Sequence, residues 1–247
     1  MSTKRAAIIL AAGKGERMNS DRAKVLHEIN GRPMIAILMD TLGGMNLEKI
    51  IVVIGHQGEE VKMALANNNV EFVWQKEQLG TGHAVMMAEP ALFGFIGTTL
   101  VALGDVPFLS LSTIENLFSV HEKTRAAATC LSADFSDPTG YGRVIRKDKT
   151  DILMKIVEHN DASLTELRIT EINSGTFCFN NYELFKLLKK IGTDNSQGEY
   201  YLTDVIKLMY DNGLRVSVVK AENPDEVRGI NSLEQLQELE MKFIKKL

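Results

Sequence analysis

Cysteine and long apolar runs are scarce in this chain of 247 residues. Its two cysteines, Cys130 and Cys178, each stand inside an apolar, strand-like run, which predicts buried free thiols in a reducing compartment rather than a disulfide framework. No apolar run approaches the roughly 18 residues that a membrane span needs. The opening residues M-S-T-K-R lead into the first apolar run without a secretory signal. We therefore expect a cytoplasmic protein with no membrane partner.

An excess of basic charge is also missing, because 28 Lys and Arg residues stand against 32 Asp and Glu residues. The resulting net charge of −4 argues against a broad nucleic-acid-binding surface. The chain has no G-x-S-x-G nucleophile elbow, and its five histidines and two cysteines lack the spacing of a zinc site. We interpret the histidines as loop and surface residues. These absences disfavour a serine hydrolase and a zinc enzyme.

What the sequence does contain is a glycine loop crowded with cations. The apolar run 6–12 stops at Gly13 and Gly15, and basic residues follow closely at Lys14, Arg17, Arg22 and Lys24. Glycines have no Cβ, so backbone N–H groups can approach phosphate oxygens, and the basic side chains add full charges. The loop is neither a G-x-G-x-x-G fingerprint, because Met18 replaces the third glycine, nor a P-loop, because no Ser or Thr follows Lys14. It predicts a nucleoside triphosphate site, the alternative being a plain glycine turn with solvated basic residues.

The first hundred residues alternate apolar strand-like runs with helical patterns, which predicts an α/β protein whose parallel sheet is covered by helices on both faces. The predicted strands are 7–10, 49–54, 71–75 and 99–103, and the predicted helices include one that begins at Pro33 and others at 59–66 and 82–88. Ligands of such sheets bind beyond the carboxyl ends of the strands. The segments expected to converge there are 13–24, 55–58, 75–82 and 104–107.

The pattern changes after a predicted strand at 126–134. Turn-rich sequence at 137–146 and two further strands at 152–157 and 169–180 predict antiparallel hairpins over a groove. We expect one domain over 1–247, with a nucleotide-binding subdomain at about 1–112 plus the C-terminal helices and a second-substrate lobe at about 135–180. Thr203 is a candidate cap of a helix at 203–211, and Ser232 with Gln235 forms a candidate capping box of the terminal helix.

Asp105 ends an apolar strand within G-D-V-P, at the edge of the sheet where ligands bind. A carboxylate there is suited to a hard divalent cation, since Mg²⁺ takes one or two protein oxygens and completes its shell with water and phosphate. The alternative is a turn aspartate before Pro107. Asn231 could supply a second oxygen, although an asparagine in a helix-entry turn would also explain it.

The segment Q-x-x-Q-L-G-T-G joins a strand to a helix at residues 75–82. The amide side chains of Gln75 and Gln78 offer both donors and acceptors, as the N3–H and O4 edge of uracil requires, and Gly80 lets a base lie close to the backbone. A helix-capping loop is the alternative. We favour base recognition.

The glycine loop is followed by Q-x-x-Q-L-G-T-G-H-A, G-D-V-P, D-P-T-G-Y-G-R, I-V-E-H-x-D-A, E-I-N-S-G, Q-G-E-Y-Y-L-T-D and G-I-N-S. In this order the motifs resemble the sugar nucleotidyltransferases, and among them the uridyltransferase half of the bifunctional bacterial enzymes that make UDP-N-acetylglucosamine. The resemblance covers about residues 5–239. It implies a Rossmann-like nucleotidyltransferase fold, with a mixed, mostly parallel sheet flanked by helices and a small antiparallel sugar-binding lobe. It also implies Mg²⁺-dependent joining of UTP to N-acetylglucosamine 1-phosphate with release of pyrophosphate.

The same resemblance implies a role for individual residues. The catalytic, phosphate-binding residues are Arg17 and Lys24. The other nucleotide-binding residues are Leu10, Ala11, Ala12, Gly13, Gly15, Gln75, Gln78, Gly80 and Thr81. The sugar-side residues are Gly104, Asp105, Gly142, Glu158, Asn173 and Asn231, of which Asp105 and Asn231 match the Mg²⁺ ligands.

Three departures from the family pattern accompany the resemblance. The acetyltransferase half, a left-handed β-helix, is absent from this sequence, so the resemblance implies neither acetyl transfer nor the trimer that this half builds. Ala23 stands where proline commonly precedes the phosphate-binding lysine, and Leu103 replaces a tyrosine that some members carry before G-D. Two alternatives stay open: transfer to another sugar 1-phosphate such as glucose 1-phosphate, and an inactive nucleotide-binding regulatory module.

Overall fold

A nine-stranded mixed sheet organises the chain in a computed structural model that describes residues 3–15, 18, 20–148 and 150–243. The strands are β1 (Arg5–Ala11), β2 (Glu28–Ile29), β3 (Arg32–Pro33), β4 (Lys49–Ile54), β5 (Glu71–Trp74), β6 (Thr98–Leu103), β7 (Ala128–Asp134), β8 (Arg143–Arg146), β9 (Leu153–Val157), β10 (Glu171–Asn180) and β11 (Val216–Lys220). The α-helices are α1 (Met34–Gly43), α2 (Gly58–Ala64), α3 (Thr81–Met86), α4 (Leu111–Thr124), α5 (Asn181–Leu188), α6 (Asp204–Asp211) and α7 (Leu233–Phe243). None of the helices in these ranges is long and apolar enough to cross a bilayer.

The strand order of the large sheet is β11-β7-β10-β6-β1-β4-β5. Strands β5, β4, β1 and β6 run parallel to one another, as do β7 and β11, whereas β10 lies antiparallel between β6 and β7. The predicted mixed, mostly parallel sheet is therefore confirmed. The chain leaves β1 towards β4 on one side and later returns to β6 on the other side, so the carboxyl ends of β1 and β6 flank a topological switch point.

Strand β1 reads as a continuous apolar run because both faces of the sheet are covered. Ile8 packs into a cluster with apolar residues of α3, α5 and α6. Ile9 points to the opposite face and packs into a cluster with α1, α2 and α4. Both isoleucines are fully buried. This two-sided core fixes the end of β1, from which the glycine loop emerges.

The antiparallel hairpin predicted after residue 134 is present as β8 and β9, and β8 also pairs with β10. Strand β10 is interrupted, because its register with β7 shifts between Asn173 and Phe177. Gly175 lies in this break with φ +77°, and a Cβ there would fall 2.5 Å from Leu103 Cδ1. Only glycine fits this backbone without strain. The break turns Asn173 towards the cavity described below.

Two local predictions were wrong and two were confirmed. Thr203 makes no capping bond at the start of α6, because its hydroxyl donates to Glu158 instead. The histidines are not all at the surface, since His27 and His121 are buried. The capping bond of α7 is present, with Gln235 N–H donating to Ser232 Oγ at 3.3 Å. Both cysteines are buried and free.

Candidate active site

A cavity of about 700 Å³ opens at the carboxyl edge of β1 and β6. Its lining includes nine residues predicted to bind the nucleotide: Leu10, Ala11, Ala12, Gly13, Gly15, Gln75, Gln78, Gly80 and Thr81. It also includes Lys24, the catalytic lysine of the prediction. Arg17, the other predicted catalytic residue, lies outside the described residues. The ends of β1 and β6, Lys24 and the segment 75–84 therefore meet, with Glu199 and Asn231, around one space of nucleotide size, whereas the segment 55–58 that was also expected there does not line it.

The glycine loop requires glycine at position 15, whereas a Cβ at Gly13 would meet nothing within 4 Å. Gly15 has φ +68°, and a Cβ there would fall 2.6 Å from Lys24 Cβ, so the loop packs directly on the lysine segment. Lys24 opens a short 3-10 turn whose next two residues, Val25 and Leu26, are buried. Ala23 has φ −52° and ψ 135°, a conformation that proline also adopts. The backbone at Ala23 would therefore also accept the proline that is common at this position in the family.

Lys24 joins the two predicted metal ligands. Its ammonium donates to Asn231 Oδ1 at 2.7 Å and forms a short ion pair with Asp105 Oδ2. Asp105 follows β6, and Asn231 precedes α7, where its backbone N–H donates to Gln235 Oε1 at 2.7 Å. The Lys24 and Asp105 side chains are only 14% and 17% exposed, so their attraction is less screened than at the surface.

The oxygen atoms of Asp105 and Asn231 suit a hard divalent cation. One carboxylate oxygen and one amide oxygen converge on the position held by the ammonium, and both are donors that Mg²⁺ accepts. In the part of the chain that the structure describes, no group of three His, Cys, Asp or Glu side chains gathers into a metal site. A cation here would complete its shell with phosphate oxygens and water. The residues therefore fit a metal that binds together with the nucleotide.

The segment after β5 presents its amides to the cavity. Gln75 Nε2 donates to Gly80 O at 3.1 Å, and Gln78 Nε2 donates to Gln75 O at 3.1 Å. Gly80 has φ +107°, and a Cβ there would fall 2.6 Å from Tyr200 O. The backbone of residues 199–203 therefore packs tightly against this segment.

A second cavity of about 240 Å³ adjoins the first. Both cavities are lined by Leu10, Thr81, Leu103, Asp105 and Asn231. The predicted sugar-side residues Gly142, Glu158 and Asn173 line the second cavity. Gly104 lines neither cavity, because it is buried between the ends of two strands, where its N–H donates to Leu10 O at 2.9 Å.

Polar side chains in the second cavity are held by specific partners. Thr203 Oγ1 donates to Glu158 Oε1 at 2.8 Å, while burial raises the pKa of the Glu158 carboxyl. Asn173 Oδ1 accepts from the N–H of Gly175 at 2.9 Å and from the thiol of Cys130 at 3.5 Å. Because its oxygen takes both donors, Asn173 has its Nδ2 group left to donate to a ligand.

Sequence reasoning missed several residues of the two cavities. Thr203 was assigned to a helix cap, and Glu199, whose pKa is raised by burial, lines the first cavity. Both belong to Q-G-E-Y-Y-L-T-D, a motif to which no ligand-binding role was assigned. The backbone of this segment bonds to the segment 75–82, which is predicted to bind the base, through Tyr200 N–H to Leu79 O at 2.8 Å and Leu202 N–H to Thr81 Oγ1 at 3.1 Å.

Known proteins are similar to this chain over most of its length. The bifunctional protein GlmU of Halalkalibacterium halodurans is 47% identical over 227 residues, which are 92% of this chain and 50% of that protein. GlmU of Listeria monocytogenes is 48% identical over 229 residues, and GlmU of Oceanobacillus iheyensis is 48% identical over 242 residues, covering 93% and 98% of this chain. The chain thus spans about half the length of these curated relatives, 50% and 52% in the latter two.

A solved structure confirms the predicted nucleotidyltransferase fold. The crystal structure of UDP-glucose pyrophosphorylase complexed with UDP-glucose superposes with a TM-score of 0.80 at 18% identity, covering 99% of this chain and 100% of that chain. At this identity the likeness concerns the fold. The sequence model of the MobA-like NTP transferase domain matches residues 7–170, well over half of the 247 residues. The chain therefore belongs to the family of MobA-like NTP transferase domains.

Proposed function

We propose that the chain transfers a uridylyl group from UTP to N-acetylglucosamine 1-phosphate, in a Mg²⁺-dependent reaction that gives UDP-N-acetylglucosamine and pyrophosphate. The observation that carries the proposal is that two adjoining cavities share Asp105 and Asn231 at their border. The eight ordered motifs and the 47–48% identity to GlmU proteins support the choice of nucleotide and sugar.

The two cavities divide the substrates between them. The larger cavity, lined by the glycine loop and by Gln75 and Gln78, takes UTP. The smaller cavity, lined by Glu158 and Asn173, takes the sugar phosphate. The α-phosphate of UTP and the phosphate of the sugar then meet at the shared border. An oxygen of the sugar phosphate attacks the α-phosphorus, the bond from this phosphorus to the bridging oxygen breaks, and pyrophosphate leaves with the bond electrons.

This reaction needs no general base, because the attacking phosphate oxygen already carries negative charge. Catalysis then reduces to alignment of the two phosphates and neutralisation of charge in the transition state. Lys24 supplies one positive charge at the border of the cavities, and we assign Arg17 a second one on the basis of its motif. A Mg²⁺ ion held by Asp105 and Asn231 would neutralise further phosphate charge.

The sugar side offers matched hydrogen-bonding groups. The Glu158 carboxylate, oriented by Thr203, can accept from sugar hydroxyls, and the Asn173 Nδ2 group can donate to an acetamido carbonyl. Gly142 leaves room beside them, since a Cβ there would fall 3.3 Å from Glu158 Oε2. An acetamido group is larger than a hydroxyl and brings its own acceptor, so this site is suited to an N-acetyl sugar.

Pyrophosphate release tests the proposal with UTP and a panel of sugar 1-phosphates. We expect Mg²⁺-dependent release, fastest with N-acetylglucosamine 1-phosphate and at least roughly tenfold slower with glucose 1-phosphate, as loss of one well-made hydrogen bond predicts. Equal turnover of the two sugars would contradict the acetamido assignment. Absence of release with every sugar phosphate, despite binding of UTP, would favour the nucleotide-binding module.

A further inference from the structure

His83 lies on α3 beside the base-binding segment, and the proposed mechanism does not use it. Its Nδ1 atom is 3.1 Å from Gln75 Nε2. The ring is half-buried and tilted by 33° against the Tyr200 ring, with 6.3 Å between the centroids. His83 lines neither described cavity and therefore contacts the nucleotide site through Gln75.

The neighbours of Gln75 fix the orientation of its amide. A carbonyl oxygen can only accept, so the side-chain atom 3.1 Å from Gly80 O must be the amide nitrogen. This nitrogen has a second hydrogen, which meets His83 Nδ1. An atom that receives a hydrogen bond cannot carry a proton, so the neutral His83 ring holds its proton on Nε2.

The Gly80 carbonyl is itself held in position. Tyr200 N–H donates to Leu79 O at 2.8 Å, and Gly82 N–H donates to Tyr200 O at 2.7 Å. These two bonds hold the backbone on both sides of Gly80, and the Gly80 carbonyl itself also accepts from the Ala84 N–H at 3.1 Å. The acceptor that anchors the first hydrogen of Gln75 Nε2 is rigid, and His83 anchors the second.

With both hydrogens of Nε2 engaged, the Gln75 amide has only Oε1 to offer a ligand in the cavity that it lines. An oxygen at this position accepts a hydrogen bond from the N3–H group of uracil. Cytosine has an unprotonated N3 at the same position. Its N3 lone pair would then face the Gln75 Oε1 atom, and two acceptors cannot form a hydrogen bond. The amide orientation thus discriminates between the two pyrimidines.

We propose that His83 is a positioning residue that sets nucleobase selectivity by locking the Gln75 amide with its oxygen towards the base. The inference rests on the proposed function, in which a nucleoside triphosphate occupies this cavity. Without an acceptor at His83, Gln75 keeps one anchor and can also turn its nitrogen towards the base. CTP then gains a donor for its N3 atom, and UTP loses the favoured partner.

Two matched variants separate the acceptor from the shape of the ring. His83→Phe keeps an aromatic ring beside Tyr200 but removes the acceptor. His83→Asn is smaller, yet its amide oxygen can take the place of Nδ1. Affinities for UTP and CTP are measured by calorimetry without sugar phosphate, and kcat/KM for each nucleotide is measured with the preferred sugar phosphate.

We expect His83→Phe to reduce the preference for UTP over CTP by roughly tenfold, the worth of about one hydrogen bond, while His83→Asn stays within about threefold of the wild type. A wild-type preference in His83→Phe would overturn the inference, and so would an equal loss in both variants. If either of these results occurs while the wild type still transfers uridylyl groups, the proposed function survives. If the wild type binds neither nucleotide, both proposals fail.

A second measurement does not depend on a variant that folds. In the wild-type chain with ¹⁵N-labelled histidine, long-range NMR correlations report which ring nitrogen carries the proton. The inference requires an unprotonated Nδ1 and a protonated Nε2 in His83. A ring protonated on Nδ1 in the nucleotide-free chain would overturn it.

Discussion

Lys24 Nζ donates a hydrogen bond of 2.7 Å to Asn231 Oδ1, although 207 positions separate the two residues in the sequence. The same ammonium pairs with Asp105, so it stands between the two oxygens that we propose as metal ligands. A divalent cation and the ammonium cannot occupy this position together. In the proposed mechanism, the phosphates of a bound nucleotide would offer Lys24 another partner and release the two oxygens. We therefore expect binding of the metal and binding of the nucleotide to be coupled.

Lys24→Met should therefore bind Mn²⁺ more tightly than the wild type in the absence of nucleotide. Removal of a competing charge beside a carboxylate is worth up to about 4 kcal/mol at an effective dielectric constant of 20, and we expect at least a roughly tenfold gain in affinity. Electron paramagnetic resonance of free Mn²⁺ measures it. Lys14→Met, which removes an exposed lysine of the same loop, is the control and should change little. Weaker Mn²⁺ binding in Lys24→Met would show that the lysine supports the metal.

Replacement of Lys24 should impair catalysis, although it should strengthen metal binding in the absence of nucleotide. We expect Lys24→Ala to lower the rate of transfer by roughly 10²-fold, the scale of one lost transition-state contact, and Asp105→Ala to abolish turnover. Asp40→Ala is the control and should keep the wild-type rate. Asp40 lies on α1, where it forms an exposed ion pair with Arg32. Circular dichroism verifies that each variant is folded. A wild-type rate in Lys24→Ala or Asp105→Ala would favour the alternative that the chain is an inactive nucleotide-binding module.

The sequence predicted the parts of the site that depend on local pattern. Buried parallel strands carry continuous apolar runs, and the rule that ligands bind at their carboxyl ends brought Gly13, Gln75 and Asp105 to one edge. The pairing of Thr203 with Glu158 was not predicted, because a threonine before a helix also reads as a cap and 45 positions separate the two residues. His83 was missed because its role depends on the three-dimensional position of one amide.

The sequence around His121 contains a pattern that predicts its burial. It follows Ile114, Leu117 and Phe118 at helical spacing, and all of them are buried on one face of α4. The periodicity of the helix thus placed the histidine in the core. The interpretation of the five histidines as loop and surface residues did not use this spacing. The buried ring accordingly contacts Thr129 Oγ1 at 3.0 Å through Nδ1.

Thr203→Val should impair the sugar side alone. The hydroxyl of Thr203 stabilises the ionised Glu158, so its loss raises the pKa of this carboxyl beyond the increase already caused by burial. We expect KM for the sugar phosphate to rise by roughly tenfold and KM for UTP to stay within about twofold. The acid limb of kcat/KM for the sugar phosphate should move to higher pH. Thr203→Ser keeps the donor and should restore both values, whereas a matching failure of Thr203→Ser would assign the effect to packing.

His121 should make the chain less stable in mild acid. Burial lowers the pKa of His121 from 6.5 to about 4, so below pH 6.5 the unfolded chain binds a proton that the folded chain excludes. The stabilisation is fully present above pH 6.5 and is lost as the pH falls towards 4, by roughly 3 kcal/mol in total. Urea unfolding at several pH values measures this slope. His121→Gln should flatten it, and an unchanged slope would assign the effect to other groups.

Gly175 should be indispensable to the break in β10 for two separable reasons. Its φ of +77° strains any other residue, and a Cβ would fall 2.5 Å from Leu103 Cδ1. Gly213 has φ +74° with nothing within 4 Å of its Cβ position, so Gly213→Ala reports the backbone strain alone. We expect Gly213→Ala to lower the free energy of unfolding by about 1–3 kcal/mol through the backbone strain alone. Gly175→Ala should lower it further, because the clash with Leu103 adds to the same strain.

The contact with Leu103 can be isolated by a double-mutant cycle. Leu103→Ala makes space for the new Cβ but leaves the φ strain at position 175. The double variant should therefore lose less unfolding free energy than the sum of the losses in Gly175→Ala and Leu103→Ala, by about 1 kcal/mol. Because the Gly175 N–H orients Asn173, Gly175→Ala should also raise KM for the sugar phosphate more than KM for UTP. Additive stabilities with an unchanged KM would mean that the break in β10 neither packs on Leu103 nor positions Asn173.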